Sequence, residues 1–128
     1  MDAKNSPAPA RVISAAEFPE VCKRLGIKPV RRMFFSDGGP QCGCRVAVCL
    51  AAAYGSFQAA FDAFIDGYRT EVELLADAIG ESEEFCQGLS DGWEGSRENS
   101  LAEDNWQRGY AIGRDSWQAC VDAGLVTA

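Results

Sequence analysis

The sequence predicts an all-α fold of about five helices in one small domain. Apolar side chains recur at helical spacing from Phe57 to Ile79, which is typical of one buried helix face. Helix-capping residues and helix-ending glycines alternate along the rest of the chain. Hydrophobic residues make up 47% of the 128 residues, so we expect one core, with a single domain at 13–128. The Pro- and Ala-rich residues 1–12 are predicted to form a disordered arm.

The front of the chain predicts one helix and one short strand. The first helix begins either at Ser14, which forms a capping box with Glu17, or at Pro19, a favoured first helical position. Residues 30–35 form the only β-prone stretch, and we expect at most one short strand there. The second helix is predicted over 43–54, up to a glycine that ends it.

Three further helices are predicted behind it. The longest covers 57–79, because its apolar period is sustained over that whole length. Gly67 and a second capping box at 70–73 could break it, and one long helix, kinked there, is the favoured interpretation. The last two helices are expected to begin after Ser82 and after Ser100, which are suitable N-caps.

Two glycine pairs stand inside these last two helices: Gly88 with Gly92, and Gly109 with Gly113. Each interior glycine costs about 1 kcal/mol relative to alanine, against a total stability of about 5–15 kcal/mol. Close backbone packing offsets such a cost. We therefore predict a tight antiparallel hairpin with facing glycines. The neighbouring aromatic residues are assigned to its packing: Trp93, Trp106, Tyr110 and Trp117.

The segment Gly88–Tyr110 resembles the glycine-spaced two-helix pattern of ribosome modulation factor, a family of small basic bacterial proteins that bind the ribosome and promote its hibernation. The resemblance rests on the runs GLSDGWEG, from Gly88, and WQRGY, ending at Tyr110. It implies a helical hairpin and association with the ribosome. The segment is acidic here, whereas that family is basic. More broadly, the chain looks like small helical proteins of bacteria and their phages, a likeness that implies no activity.

Six cysteines make metal binding one interpretation of the sequence. Cys42 and Cys44 precede a predicted helix N-terminus, where thiolates are stabilised. Together with Cys49 and a fourth cysteine they could hold zinc or an iron–sulfur cluster. Cys22, Cys86 or Cys120 could supply the fourth ligand, and Cys86 is the one assigned. Redox sensing by Cys42 and Cys44 is a second alternative. The favoured interpretation is that the cysteines are reduced, buried side chains and that the chain binds no cofactor.

Charge is distributed unevenly within the net charge of −7. Residues 1–34 carry seven basic and three acidic side chains, whereas the remainder carries five basic and sixteen acidic ones. The basic segment 4–34 is therefore predicted to meet an acidic surface. We favour the acidic body of its own or a sister chain over nucleic acid, because few positive charges are available.

A partner-binding segment is predicted from residue types that are typical of interfaces. It consists of Arg31, Arg32, Met33, Phe34 and Phe35. The alternative is a buried edge strand. The absence of histidine excludes Ser-His and Cys-His hydrolases and most catalytic zinc sites.

The favoured function is that of a non-enzymatic interaction or accessory protein that associates with a protein partner or with itself as a homo-oligomer. The alternatives are a cysteine-based structural metal-binding protein and a ribosome- or nucleic-acid-associated regulator. No apolar run is long enough to span a membrane, and the first residues lack an export signal, so we expect a cytoplasmic protein.

Overall fold

The computed structural model describes residues 11–32, 34–35, 39–67 and 70–127. Six helices lie within these ranges: α1 Phe18–Leu25, α2 Arg45–Tyr54, α3 Phe57–Ile65, α4 Glu71–Ile79, α5 Glu83–Glu94 and α6 Asp104–Asp122. The described residues contain no β-strand, so the predicted all-α class is confirmed. Most of the predicted arm at 1–12 lies outside the described residues, although Val12 is partly buried against the core.

The short strand expected at 30–35 is absent from the described part of that segment. The backbone groups of Val30 have other partners. Its N–H donates to the carbonyl oxygen of Gly43 at 3.1 Å, and its carbonyl oxygen accepts from the indole Nε1 of Trp93 at 2.9 Å. Because these groups are already bonded, this part of the segment cannot pair as a strand.

The long helix expected over 57–79 is wrong, because α3 and α4 are separate. Thr70 begins α4 with a complete capping box: its Oγ1 accepts from the Glu73 N–H at 3.1 Å, and its own N–H donates to the Glu73 carboxylate at 3.2 Å. Such a cap satisfies backbone donors that a continuous helix would bond internally. The last helix also begins later than expected, with Glu103 rather than Ser100 as its N-cap.

The N-terminus of α1 combines both of the starts considered. Ser14 and Glu17 exchange the two capping-box bonds, at 2.8 and 3.3 Å, around the turn that precedes the helix. The helix itself starts at Phe18, with proline in its first turn. The capping box therefore positions the chain before the helix, and the proline sets its first turn.

Helix α2 lies at the centre of the molecule and packs against α1, α3, α4 and α5. Its residues from Arg45 to Ala51 are all buried. Fully buried side chains from the surrounding elements complete the core: Phe18, Phe35, Leu74, Leu75, Phe85, Leu89 and Trp93. Burial of each large apolar side chain contributes about 1.5–3 kcal/mol to the stability of the fold. This one core therefore holds the helices together.

Within the ranges that the structure describes, no single helix is long and apolar enough to cross a membrane. Helices α2 and α3 together have the length and composition of a membrane-spanning segment, but a bend of 101° separates them.

Helices α5 and α6 pack through their glycines, as predicted. A Cβ atom on Gly88 would meet the carbonyl oxygen of Trp106 and the nitrogen of Tyr110, the latter at 2.9 Å. A Cβ atom on Gly109 would likewise meet the backbone of Phe85 and Leu89. The two backbones are therefore too close for any side chain at these positions.

The pair is parallel, so the predicted antiparallel direction is wrong. Gly88 faces the backbone at Trp106, and Gly92, four residues later, faces the backbone at Tyr110, also four residues later. The cause is the connection: nine residues separate Glu94 from Asp104, and they can extend about 30 Å. The twelve residues of α5 span only about 18 Å. The chain can therefore return to the start of α5 before α6 begins.

Both helices present one pattern, an aromatic residue followed by two glycines four apart. Gly88 and Gly109 are 21 positions apart in the sequence, and so are Gly92 and Gly113. Each glycine faces the backbone at equivalent positions of the other helix, so the pair has an approximate twofold relation.

The four aromatic residues assigned to this pair flank its backbone contact. Trp93 is buried and meets Phe18 and Trp117 edge-on, at ring-centre distances of 5.1 and 5.0 Å. Trp106 stacks on Tyr110 at 4.9 Å and is only partly buried. The large side chains thus lie beside the glycine contact, where Trp93 reaches α1 and Trp106 stacks within α6.

Candidate functional site

Two arginines of the predicted partner-binding segment close the C-terminal end of α5. The Arg31 Nε donates to the carbonyl oxygen of Trp93 at 3.0 Å, and its guanidinium lies 4.5 Å above the Trp117 ring. The Arg32 Nη2 donates to the carbonyl oxygen of Glu94 at 3.0 Å. Cationic donors are favourable at a helix C-terminus. Both arginines therefore form hydrogen bonds within the molecule, at the predicted partner-binding segment.

The aromatic residues of the same segment differ in burial. Phe35 is fully buried between Phe61 and Phe64, and its N–H donates to the Glu71 carboxylate at 2.7 Å. The burial of Phe35 agrees with the alternative interpretation, a buried edge strand, except that no strand forms there. Phe34 is partly buried and lines a surface cavity. The predicted contact at Met33 lies outside the described residues.

Two adjoining cavities form one groove beside α4 and α5, which we call the acidic groove. They have volumes of about 300 and 460 Å³ and share Thr70, Val72 and Gln87. Phe34 lines the first cavity and Trp106 the second. The acidic lining comes from Glu71 and Glu94 in the first cavity, and from Glu73, Glu83 and Glu84 in the second. In the described part of the chain, no lysine or arginine lines either cavity.

The fold positions one of these glutamates and changes the pKa of another. Glu71 is the first residue of α4 and is buried, and its carboxylate accepts the Phe35 N–H. The partial positive charge of a helix N-terminus favours a carboxylate there. Burial raises the pKa of Glu94, and the neighbouring Asp91 adds to this rise, while Arg32 and Ser90 oppose it. A cation in the groove would favour the charged form of Glu94.

The four predicted metal ligands are not brought together. All six cysteines are free and buried, and no group of three or more metal-ligating side chains lies within the described ranges. Cys42 and Cys44 contact each other, and this hydrogen bond together with burial raises the pKa of Cys44. Burial also raises the pKa of Cys86, to about 12, which disfavours the thiolate that a metal requires.

Sequence reasoning did not single out a buried arginine that contacts one of these cysteines. Arg45 is fully buried at the start of α2 and donates to the thiol sulfur of Cys49 at 2.8 Å. Cys22 and Cys120, from α1 and α6, are in hydrogen-bond contact with each other. One signal pointed to this site: Arg45 is the last charged residue before an uncharged run over 46–61.

Comparison of the chain with models of protein families, with curated proteins and with solved structures finds no match in any of the three.

Proposed function

We propose that this chain is a small, non-enzymatic interaction protein whose acidic groove binds a basic segment of a protein partner. The observation that carries the proposal is the groove's lining, in which five glutamates and two aromatic rings surround two adjoining cavities. Such a surface complements lysine and arginine side chains, whose charges pair with carboxylates and whose cations stack on aromatic faces.

The groove combines a buried glutamate with exposed glutamates. Glu71 and Glu94 line the smaller cavity, next to Val46 and Val72, so a side chain with an apolar stem and a cationic end fits its lining. Glu83 and Glu84 are exposed at the start of α5, where they attract a basic segment from a distance. An extended basic peptide could thus place one side chain inside and others along the rim.

The alternative as a nucleic-acid or ribosome-associated regulator has less support. It relies on the basic segment 4–34, but Arg31 and Arg32 bond to the end of α5, and Arg11 pairs with Glu17. The metal-binding alternative has no ligand group within the described residues.

The proposal is tested by titrating the protein with a fluorescent oligo-arginine peptide, and with an oligo-glutamate peptide as the control probe. The double variant Glu83→Lys/Glu84→Lys should weaken oligo-arginine binding about tenfold, since each exposed charge contributes about 0.5–1 kcal/mol. Binding should also strengthen as pH rises through the pKa of Glu94, because the cation favours the ionised carboxyl.

A matched control carries the same change in net charge on another face. Asp62→Lys/Asp66→Lys alters two exposed carboxylates near the end of α3 that do not line the groove. This control should retain binding within about twofold at physiological salt, where screening acts over about 8 Å. Equal loss in both double variants would mean that net charge, and not the groove, binds the peptide.

Self-association is the other occupant to be distinguished. Sedimentation of the protein alone would show a dimer if the basic segment of a second copy fills the groove. A dimer that Glu83→Lys/Glu84→Lys dissociates would assign the groove to self-association and overturn the claim of a separate partner. A monomer that binds oligo-arginine would support that claim.

A further inference from the structure

The Trp106 ring is held in one orientation beside the acidic groove. Its indole Nε1 donates to Asp91 Oδ2 at 2.9 Å, and the other carboxylate oxygen of Asp91 accepts from the Gln87 side chain at 3.0 Å. The ring stacks on Tyr110, at a ring-centre distance of 4.9 Å and an interplanar angle of 25°. Tyr110 is itself buried, and its hydroxyl donates to the carbonyl oxygen of Ser96 at 2.7 Å. The edge and one face of Trp106 are therefore both fixed.

The same ring lines the larger cavity of the groove, which has a volume of about 460 Å³. Trp106 is only partly buried, and three carboxylates line this cavity with it: Glu73, Glu83 and Glu84. Glu83 and Glu84 are exposed in the first turn of α5, whereas Glu73 belongs to the capping box of α4. An aromatic ring and several negative charges thus border one space, and both attract a cation.

A guanidinium suits this lining better than an ammonium does. It is planar and carries its N–H donors around its edge, so it can stack on an aromatic ring and bond to carboxylates at the same time. The lysine ammonium is a compact charge that water hydrates more strongly, so it loses more when it leaves water. Tryptophan is also the aromatic side chain that attracts a cation best. The composition of the cavity therefore favours arginine.

The chain already uses this kind of contact within its own fold. In the described residues every cation that lies over an aromatic ring is an arginine: Arg31 on Trp117, Arg45 on Phe18 and Arg108 on Phe85, at 4.4 to 4.8 Å from the ring centre. Arg31 also donates to the carbonyl oxygen of Trp93 at 3.0 Å, so its face stacks while its edge forms a hydrogen bond. Trp106 could form the same double contact with an arginine that another chain supplies.

We propose that Trp106 makes the acidic groove selective for arginine over lysine. An arginine of the partner's basic segment stacks on the ring face that Tyr110 leaves uncovered and bonds to Glu83 or Glu84. The inference rests on the proposed function, because it names the basic residue that the groove recognises. Asp91 is a positioning residue, since it holds the ring through the indole Nε1 but lines neither cavity.

The first test compares fluorescent oligo-arginine and oligo-lysine peptides of equal length on the unaltered full chain. Attraction by charge alone predicts equal affinities, whereas we expect oligo-arginine to bind about three- to tenfold more tightly. Added salt should weaken both peptides alike and leave this ratio in place, because screening acts on the charges that the two share. Equal affinities would overturn the selectivity and leave the basic-segment groove standing. Failure of both peptides to bind would overturn the proposed function itself.

The ring itself is tested with Trp106→Leu, which keeps an apolar side chain and removes the aromatic face. The ratio of the two affinities should fall to within about twofold of equality. Partial unfolding lowers both affinities by the same factor, so the ratio reports the ring and not the stability of the variant. The matched control is Trp117→Leu, which removes a partly buried tryptophan that lines a different cavity and should keep the ratio. An unchanged ratio in Trp106→Leu, or equal loss in both variants, would overturn the proposal.

The positioning role of Asp91 is tested with two variants. Asp91→Ala removes the acceptor of the Trp106 indole, so the ring is no longer held for stacking, and we expect the affinity ratio to fall at least about twofold. Asp91→Asn lacks the charge but keeps an acceptor oxygen, and it should restore most of the ratio. A ratio that is the same in both variants and in the wild type would contradict the positioning role.

A measurement on the unaltered protein covers the case in which Trp106→Leu does not fold. At equal saturation, oligo-arginine should shift the indole N–H resonance of Trp106 more than oligo-lysine does, because only the guanidinium stacks on the ring. The indole of Trp93, which donates to the carbonyl oxygen of Val30 at 2.9 Å, serves as the internal control and should respond to neither peptide. Equal shifts of the Trp106 indole with both peptides would overturn the proposed stacking.

Discussion

The α5–α6 pair and the layer formed by α2, α3 and α4 use opposite means of packing. In the pair, four glycines bring two backbones into contact, and no side chain separates them. In the layer, side chains such as Leu50 and Leu74 fill the space between helices. The difference shows that this small protein gains close packing from helices that are poor in aliphatic residues, and it leaves their aromatic side chains free to contact the layer and the surface.

The acidic groove lies where these two regions meet. Val46 and Val72 come from the layer, whereas Gln87, Glu94 and Trp106 come from the pair. The spacing of α5 and α6 therefore sets the position of Trp106 relative to the glutamates. A change that separates the pair should deform the groove, even though the glycines do not line it.

The largest effect is expected from a methyl group inside the pair. Gly109→Ala would place a Cβ atom against the backbone of Phe85 and Leu89. The two helices must then separate, so we expect a loss of about 3 kcal/mol or more, despite a gain of about 1 kcal/mol in helix propensity. Urea unfolding measures this loss.

Gly67→Ala is the control for that change. Gly67 has open space around its Cα and no left-handed backbone. The same methyl group should leave stability unchanged or raise it by up to about 1 kcal/mol. Similar losses in both variants would show that the pair tolerates alanine no differently from the surface.

In the layer, the larger expected effect comes from a lost polar partner. Glu71→Ala leaves the buried N–H of Phe35 without its acceptor, and we expect a loss of about 2 kcal/mol. Glu71→Gln keeps an acceptor oxygen and should cost less than about 1 kcal/mol. If thermal unfolding shows the same loss of stability for Glu71→Ala and Glu71→Gln, the hydrogen bond to the Phe35 N–H does not stabilise the fold.

A smaller effect is expected where the front segment joins the pair. Arg31→Met removes the hydrogen bond to Trp93 and the stacking on Trp117, and we expect a loss of about 1 kcal/mol. Arg31→Lys keeps a cation near the same carbonyl and should lose less. If the wild type, Arg31→Met and Arg31→Lys have equal free energies of unfolding, these contacts of Arg31 do not stabilise the fold.

The smallest effect concerns the N-terminal turn, which belongs to neither region. Hydrogen bonds from Arg11 and Ser14 lower the pKa of Glu17 from 4.5 to about 2. Because the folded pKa lies below the unfolded one, the stabilisation is present above pH 4.5 and is lost as the pH falls towards 2. The difference in melting temperature between the wild type and Glu17→Gln should therefore vanish at the acid end of that range.

Sequence patterns predicted the helices better than their arrangement. A local signal such as the cap at Ser82 acts within one turn, so it could be recognised from neighbouring residues. The capping box at Thr70 was also visible, but the sustained apolar period favoured one continuous helix, which was wrong. The facing glycines were also predictable, because only close packing offsets their cost. The parallel direction was not, since a linker of this length can return the chain to either end of α5.

The candidate site was predictable only in part. Phe34 was expected at an interface and lines the groove, whereas Arg31 and Arg32 were assigned to a partner and bond to α5 instead. The groove joins residues from segments far apart in sequence, so no local pattern marks it. Arg45 illustrates the same limit, because its partners Ile13 and Ser116 are distant along the chain.

The most direct test of the proposed function is a nuclear magnetic resonance titration of the labelled full chain with the oligo-arginine peptide. We expect the chemical-shift changes to concentrate at Thr70, Val72, Gln87 and the indole of Trp106, which line the acidic groove. A separate surface cavity, lined by Lys28 and Trp117 among others, should stay unchanged. Shifts concentrated at that surface, or spread evenly over all acidic residues, would contradict a partner-binding groove.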